Sequence, residues 1–181
     1  MKTSKLDKIT VEGINPALAL LGPSFDSKEA RVMLLAIALQ ESNLEHRRQL
    51  VGKPPTPTGP AKSFWQGERG GGMVAGVRTH PATAKHAARV YAARGVAANN
   101  AAIWDAIEND DVLAAALARL LLYSDPASLP KLGHVEAAWD YYLRTWRPGA
   151  YTNGTPAKRA ELREKWGKNY AEALTYVTGR S

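Results

Sequence analysis

Val32-Met33-Leu34-Leu35-Ala36-Ile37-Ala38-Leu39-Gln40-Glu41-Ser42 is the stretch whose reading decides the fold class. Val32, Leu35, Ala36 and Leu39 recur at helical spacing, so one face of this segment is core. Asp26, with Glu29 three residues on, forms a capping-box pattern, which predicts a long helix from there to about Leu50. Glu41 falls about four turns into that helix, just past its most apolar part. A side chain at that place can be half-buried at the edge of a groove.

Working outward, the pattern stays mostly helical. Asn15-Pro16 supplies a cap and a proline for a short helix over Ala17 to Leu21. Val51 to Lys62 holds four prolines and two glycines, which remove donors and break any helical period. Ser63 to Glu68 and the glycines Gly70-Gly71-Gly72 read as a turn region with a short strand or hairpin. The triplet lacks the Lys-Ser/Thr of a phosphate-binding loop and is read as a hinge or tight turn. Helices are predicted over Pro81 to Arg94, around Asn100 to Glu108, over Val112 to Tyr123 behind Asp110, over Gly133 to Trp146, and from Thr155-Pro156 to near Gly179. The Ala-Leu-rich stretch Val112 to Tyr123 suggests the central apolar helix of a bundle. No composition shift divides the chain, so residues 1–181 read as one unit. Residues 1–25 form an N-terminal extension with a short helix, and 150–181 carry the C-terminal helix.

A carboxyl on a buried helix beside a cleft has a specific chemical use. Loss of water disfavours its charged form, so it stays protonated near neutral pH and can donate to a glycosidic oxygen. Glu41 fits, with Leu35, Ile37, Ala38 and Leu39 before it and polar Ser42-Asn43 after it. The competing reading is an ordinary solvent-facing Glu, and spacing alone favours that one. Trp139, Tyr142 and Trp146 fall on one helical face, a stripe that suits core packing for Trp139 and a groove rim for Trp146-Arg147. Tyr142 and Tyr141 are equal candidates for a hydrogen bond to the carboxyl or to an N-acetyl group.

Ala38-Leu39-Gln40-Glu41-Ser42, a Pro- and Gly-bearing loop, and then Gly59-Pro60-Ala61-Lys62-Ser63-Phe64-Trp65-Gln66 resemble the pattern of lytic transglycosylases and goose-type lysozymes. There, a helix ending in Glu-Ser precedes a Gly-Ala-x-Gly-Leu-Met-Gln-like segment. The resemblance covers roughly residues 30 to 70, and Trp139 to Gly149 further resembles phage-encoded members of this lysozyme-like group. It implies a mainly α, lysozyme-like α+β fold, a helical bundle with a small sheet lining a groove. It implies Glu41 as general acid/base, with Ser42, Trp65 and Gln66 beside the sugar chain. The chain departs from the family in the bulkier Ser63-Phe64-Trp65-Gln66 and in the proline run before it.

The reaction type turns on a second carboxylate. An inverting hydrolase needs a base about 6.5–9.5 Å from the acid. Glu68, two residues past Gln66 on the expected sheet, is the leading candidate for that role. Glu45 either shares the Glu41 face one turn on or pairs with Arg48 as a solvated ion pair. Without a base, the resemblance implies the lytic transglycosylase route, in which the sugar's own N-acetyl and 6-hydroxyl groups complete an anhydro product. The single-acid route is the one favoured here. His46-Arg47-Arg48 reads as a cluster for peptide carboxylates, as a complement to the helix dipole, or as both.

Lys plus Arg number 24 against 17 Asp plus Glu, a net charge of +7 that suits nucleic acid, an anionic membrane surface or an anionic cell wall. The basic residues are spread out, and no zinc-finger, RNA-binding or basic-zipper pattern is present, so a nucleic-acid partner ranks last. Cysteine is absent and the four His are scattered, which argues against a metal centre; no cofactor is expected. Val32 to Leu39 and Val112 to Leu122 fall short of the roughly 20 apolar residues of a membrane span. Met1 to Thr10 lacks the apolar core of a signal peptide. Ser24, Ser42 and Ser63 lack a nucleophile-elbow setting, and Asn153-Gly154-Thr155 reads as a chance sequon. The expectation is a phage peptidoglycan-cleaving protein, either an endolysin delivered with a holin or a lysin carried with other virion proteins. It would be made in the host cytoplasm and act on glycan strands in the wall. The alternative keeps the fold as a non-catalytic virion or wall-binding protein.

Overall fold

The computed structural model describes residues 4–179. Met1 to Thr3, the start of the basic N-terminal stretch, and the last two residues of the 1–181 unit lie outside them. The first helical stretch runs α1 (Lys5–Ile9), a π-helical turn (Thr10–Ile14) and α2 (Asn15–Leu21) without a break. Ser4 caps it through a reciprocal capping box with Asp7. The extension expected before Ala17 is therefore helix. Its signal was present in Leu6, Ile9, Ile14, Ala17, Leu18 and Leu21, all buried at helical spacing.

Helix α3 (Lys28–Ser42) begins at Ser27, whose hydroxyl accepts the Ala30 N–H at 3.1 Å. Asp26 does not cap it. Its carboxylate instead takes Arg31 Nε at 2.7 Å and Nη2 at 2.9 Å. Val32 to Leu39 is buried on every side, not on one face. The helix stops at Ser42 and not at Leu50, because Asn43 and Leu44 both take left-handed backbone at φ 52° and 54°. For Leu44 that conformation costs about 1–2 kcal/mol. Burial of its side chain and an N–H bond to Ser42 Oγ at 3.2 Å offset it.

Strands β1 (Ala61–Lys62) and β2 (Gly67–Glu68) form an antiparallel hairpin, Ala61 opposite Glu68 and Lys62 opposite Gly67. Ser63 to Gln66 is its turn, with positive φ at both ends, so Gln66 lies on the turn and not on the sheet. Gly67 lies close against α6 and the next turn: an added Cβ would sit 3.0 Å from Ile107 Cδ1 and 3.2 Å from Met73 Cε, so those side-chain ends would have to give. A π-helical turn (Gly72–Gly76) leads into α4 (Val77–Thr79) and α5 (Ala84–Arg94). Helix α5 starts at Ala84 and not at Pro81, because a turn through His80 and Thr83 precedes it.

Then come α6 (Asn100–Ile107), α7 (Asp111–Ser124), α8 (Val135–Trp146), α9 (Gly149–Thr152) and α10 (Pro156–Thr178). Leu113 to Leu122 of α7 is buried throughout, and α2, α4, α5, α6 and the turn Gly72–Gly76 pack around it. The core thus holds the buried central spans of two helices, α3 and α7, with α10 lying along α3. The architecture is mainly helical with a small hairpin. Among the described residues no helix is long and apolar enough to cross a membrane.

Lys62 locks the hairpin to α6. Its buried ammonium lies 3.2 Å from both Asp105 and Glu108 and 3.6 Å from the Trp104 ring centre. Trp104 Nε1–H donates to Pro60 O at 2.7 Å. The hairpin, tied to α6 in this way, forms a wall of the same groove as the end of α3.

Candidate functional site

A groove of about 790 Å³ runs between the end of α3, the hairpin and the end of α8. Glu41, Gln66, Glu68, His80, Trp146 and Arg147 line it, with the backbone of Gly70 to Gly72 along one side. Glu41 sits in the last turn of α3, half-buried. Tyr142 Oη–H donates to its Oε1 at 2.5 Å.

Tyr142 is buried in an aromatic cradle. Its ring stacks on Trp166 at 4.9 Å and 10°, and Trp139 lies 5.5 Å away. Burial pushes the Glu41 carboxyl up to about 7, against the opposing pull of the Tyr142 hydrogen bond and the Lys165 charge. The Tyr142 phenol is pushed far above its usual range, by burial first and then by Glu41, so it stays a donor. With Oε1 occupied, Oε2 is left to carry the acid proton.

Gln40 sets the rotation of α3 against α10. Its amide donates to Leu162 O at 3.1 Å, and its carbonyl oxygen accepts from Asn169 Nδ2 at 2.8 Å. Lys165 Nζ donates to Gln40 O at 2.7 Å, and burial pulls this ammonium below the usual lysine range. Leu162, Lys165 and Asn169 carried no signal in the sequence reading. Their roles depend on α10 returning to α3 across more than a hundred residues of chain, and no local pattern encodes that.

The remaining expected residues divide into those in the groove and those outside it. Glu68 stands exposed on β2, and among the described residues no side chain hydrogen-bonds its carboxylate. Gln66 donates its amide N–H to Ser63 O at 2.7 Å, which leaves its carbonyl oxygen for the groove. Trp146 lines the groove while its Nε1–H is held by Trp65 O at 3.0 Å. Arg147 follows at φ 47° as the C-cap of α8, exposed at the rim.

Four expectations need correction. Trp65 does not line the groove; it is fully buried and donates Nε1–H to Leu34 O at 2.9 Å. Tyr141 does not reach Glu41, because one residue is about 100° of helix and turns it to the far side of α8. There its hydroxyl donates to Leu122 O at 2.6 Å. Ser42 is held inside the fold, with its hydroxyl within 2.8 Å of Phe64 O and 3.0 Å of Ala38 O. It joins α3 to the hairpin turn and does not line the groove. Glu45 pairs with Lys5 at 2.7 Å and not with Arg48, since the helix has ended before it. The basic cluster disperses for the same reason: Arg47 pairs with Asp111 at 2.6 Å, while Arg48 donates to Gly59 O at 3.0 Å.

His80 is one of the groove residues that the sequence reading missed. Its Nδ1 accepts the Ala82 N–H at 3.1 Å, so in the neutral ring the proton sits on Nε2. The His80-Pro81 pair before the α5 helix was the available local cue.

No protein-family model, curated protein or solved structure matches this chain. The chemistry therefore rests on the groove itself. It joins a carboxyl that changes charge near neutral pH, a fixed phenol donor, an aromatic rim and an exposed second carboxylate.

Proposed function

We propose that this chain is a peptidoglycan-cleaving glycosidase of phage type, a lytic transglycosylase or muramidase, with Glu41 as its general acid/base. One observation carries the reading: Glu41 lines a long groove with its carboxyl raised to about 7 and Oε1 held by Tyr142. Protonated Glu41 donates from Oε2 to the glycosidic oxygen between two sugars as that bond breaks. The Tyr142 hydrogen bond steadies the carboxylate that forms. Trp146 offers an aromatic face to a sugar ring, and the Gln66 carbonyl and His80 Nε2–H offer an acceptor and a donor to hydroxyl or amide groups.

The second step follows one of two routes. In the first, the sugar's N-acetyl and 6-hydroxyl groups complete the reaction, Glu41 takes back a proton, and an anhydro end results. In the second, Glu68 activates a water and a reducing end results. The unpartnered, exposed position of Glu68 favours the first. Purified sacculi incubated with the protein should release muropeptides, and their mass separates the routes. Absence of any release would end the enzymatic reading and favour a wall-binding or virion role. The bulk of Phe64-Trp65 gives that alternative no support, because both side chains are buried and leave the groove open.

A further inference from the structure

Lys62 and Arg119 are the two cationic side chains buried among the described residues, and they differ in one respect. Lys62 meets Asp105 and Glu108. Arg119, 5% exposed, forms no ion pair among the described residues. Its Nε–H donates to Phe25 O at 2.8 Å, its guanidinium lies 5.4 Å from the Phe25 ring centre, and Nη1 has no hydrogen-bond partner among the described residues. The nearest acid that attracts Arg119 through space, Asp26, is already held by Arg31, and burial disfavours the charged guanidinium here.

Arg119 opens on a second cavity of about 440 Å³, within the size range of small-ligand sites and sharing no lining residue with the Glu41 groove. Leu122 and Leu129 give it apolar walls, and Lys131 stands exposed at its rim. Two acids also line it. Asp125 is already engaged by Arg144 Nε at 2.7 Å and Nη2 at 3.2 Å, whereas Glu29 has no ion-pair partner among the described residues. With Asp125 neutralised by Arg144, Arg119 and Lys131 together face Glu29, and one positive charge is left over.

We infer that this cavity binds the carboxylate of a small organic acid, with the Arg119 guanidinium as the recognising group and Lys131 as its rim partner. A charged guanidinium N–H matches a singly charged carboxylate. A doubly charged phosphate would exceed the single positive charge left over beside Glu29. This inference stands apart from the glycosidase reading, since none of its residues belongs to the groove.

The test is a titration of the full chain with N-acetylalanine, with its uncharged amide and with inorganic phosphate, read by amide chemical shifts. Saturable shifts confined to residues 27–29 and 119–131, given by the acid and by neither control, support the site. Arg119→Gln should weaken that binding about tenfold or more, and Lys131→Ala about two- to fivefold. If Arg119→Gln does not fold, the Lys131→Ala titration and the amide control decide by themselves. Equal binding of acid and amide, stronger binding of phosphate, no saturable shift, or an affinity unchanged in Lys131→Ala overturns the inference. In that case Arg119 is only a cap for the Phe25 carbonyl.

Discussion

Glu41 and Glu68 line one groove, yet the two walls treat a carboxyl in opposite ways. The α3 wall buries Glu41 beside the stacked rings of Tyr142 and Trp166 and gives it one fixed donor. The hairpin wall holds Glu68 out in solvent, on a strand paired with the one that Lys62 ties to α6. The same functional group is thus held by burial and a fixed donor on one side and left without a side-chain partner among the described residues on the other. Environment, and not residue type, assigns the role.

The contrast is broken most severely at Glu41. Glu41→Gln should lower muropeptide release from sacculi about 10²–10⁴-fold while leaving the fold intact. The same change has an opposite effect on stability. Because the folded pKa of Glu41 is raised, the native state loses stability as pH climbs from about 4.5 through about 7, and the full penalty applies above that. Glu41→Gln should therefore be more stable than the parent by about 1–3 kcal/mol at pH 8 and equal to it at pH 4, measured by urea unfolding. Equal stability at both pH values would show that Glu41 is not buried as described.

Tyr142→Phe tests the donor. It should cut turnover about ten- to a hundredfold, and it should move the alkaline limb of the pH–rate profile upward from about 7, because the lost hydrogen bond favoured the charged carboxylate. An unmoved limb would separate Tyr142 from the acid.

Glu68→Gln sharpens the comparison from the other wall. If the exposed carboxylate is not a base, release should fall less than about tenfold and the products should keep anhydro ends. A loss near that of Glu41→Gln, with reducing ends in the parent's products, would make the two walls partners in hydrolysis. The smallest expected effect is at Lys62→Met, which should cost about 1 kcal/mol in urea unfolding, since Asp105 and Glu108 retain solvent on their side of the pair.

Much of this contrast was legible along the chain. The apolar run before Glu41, the Pro- and Gly-rich loop and the turn after it announced a buried helix, an irregular crossing and a hairpin, because hydrophobic period and backbone restriction are local properties. The stopping point of α3 was not legible. Asn43 and Leu44 adopt left-handed backbone only because Ser42 Oγ and the hairpin turn hold the chain there, and the pattern through Arg48 read on as helix. The same gap hid the partners of Glu45, Arg47 and Arg48, which lie 40, 64 and 11 residues away.

What the sequence by itself determined is the mainly helical class, a carboxyl just past the apolar run of one helix, and a short hairpin after the Pro- and Gly-rich loop. Only the tertiary structure decided that Tyr142 and not Tyr141 holds the carboxyl, that Trp65 is core while Trp146 is rim, and that Gln40 reaches α10. Each of those choices depends on the rotation of one packed helix against another. A turn of about 100° per residue exchanges neighbours that composition and spacing leave equal.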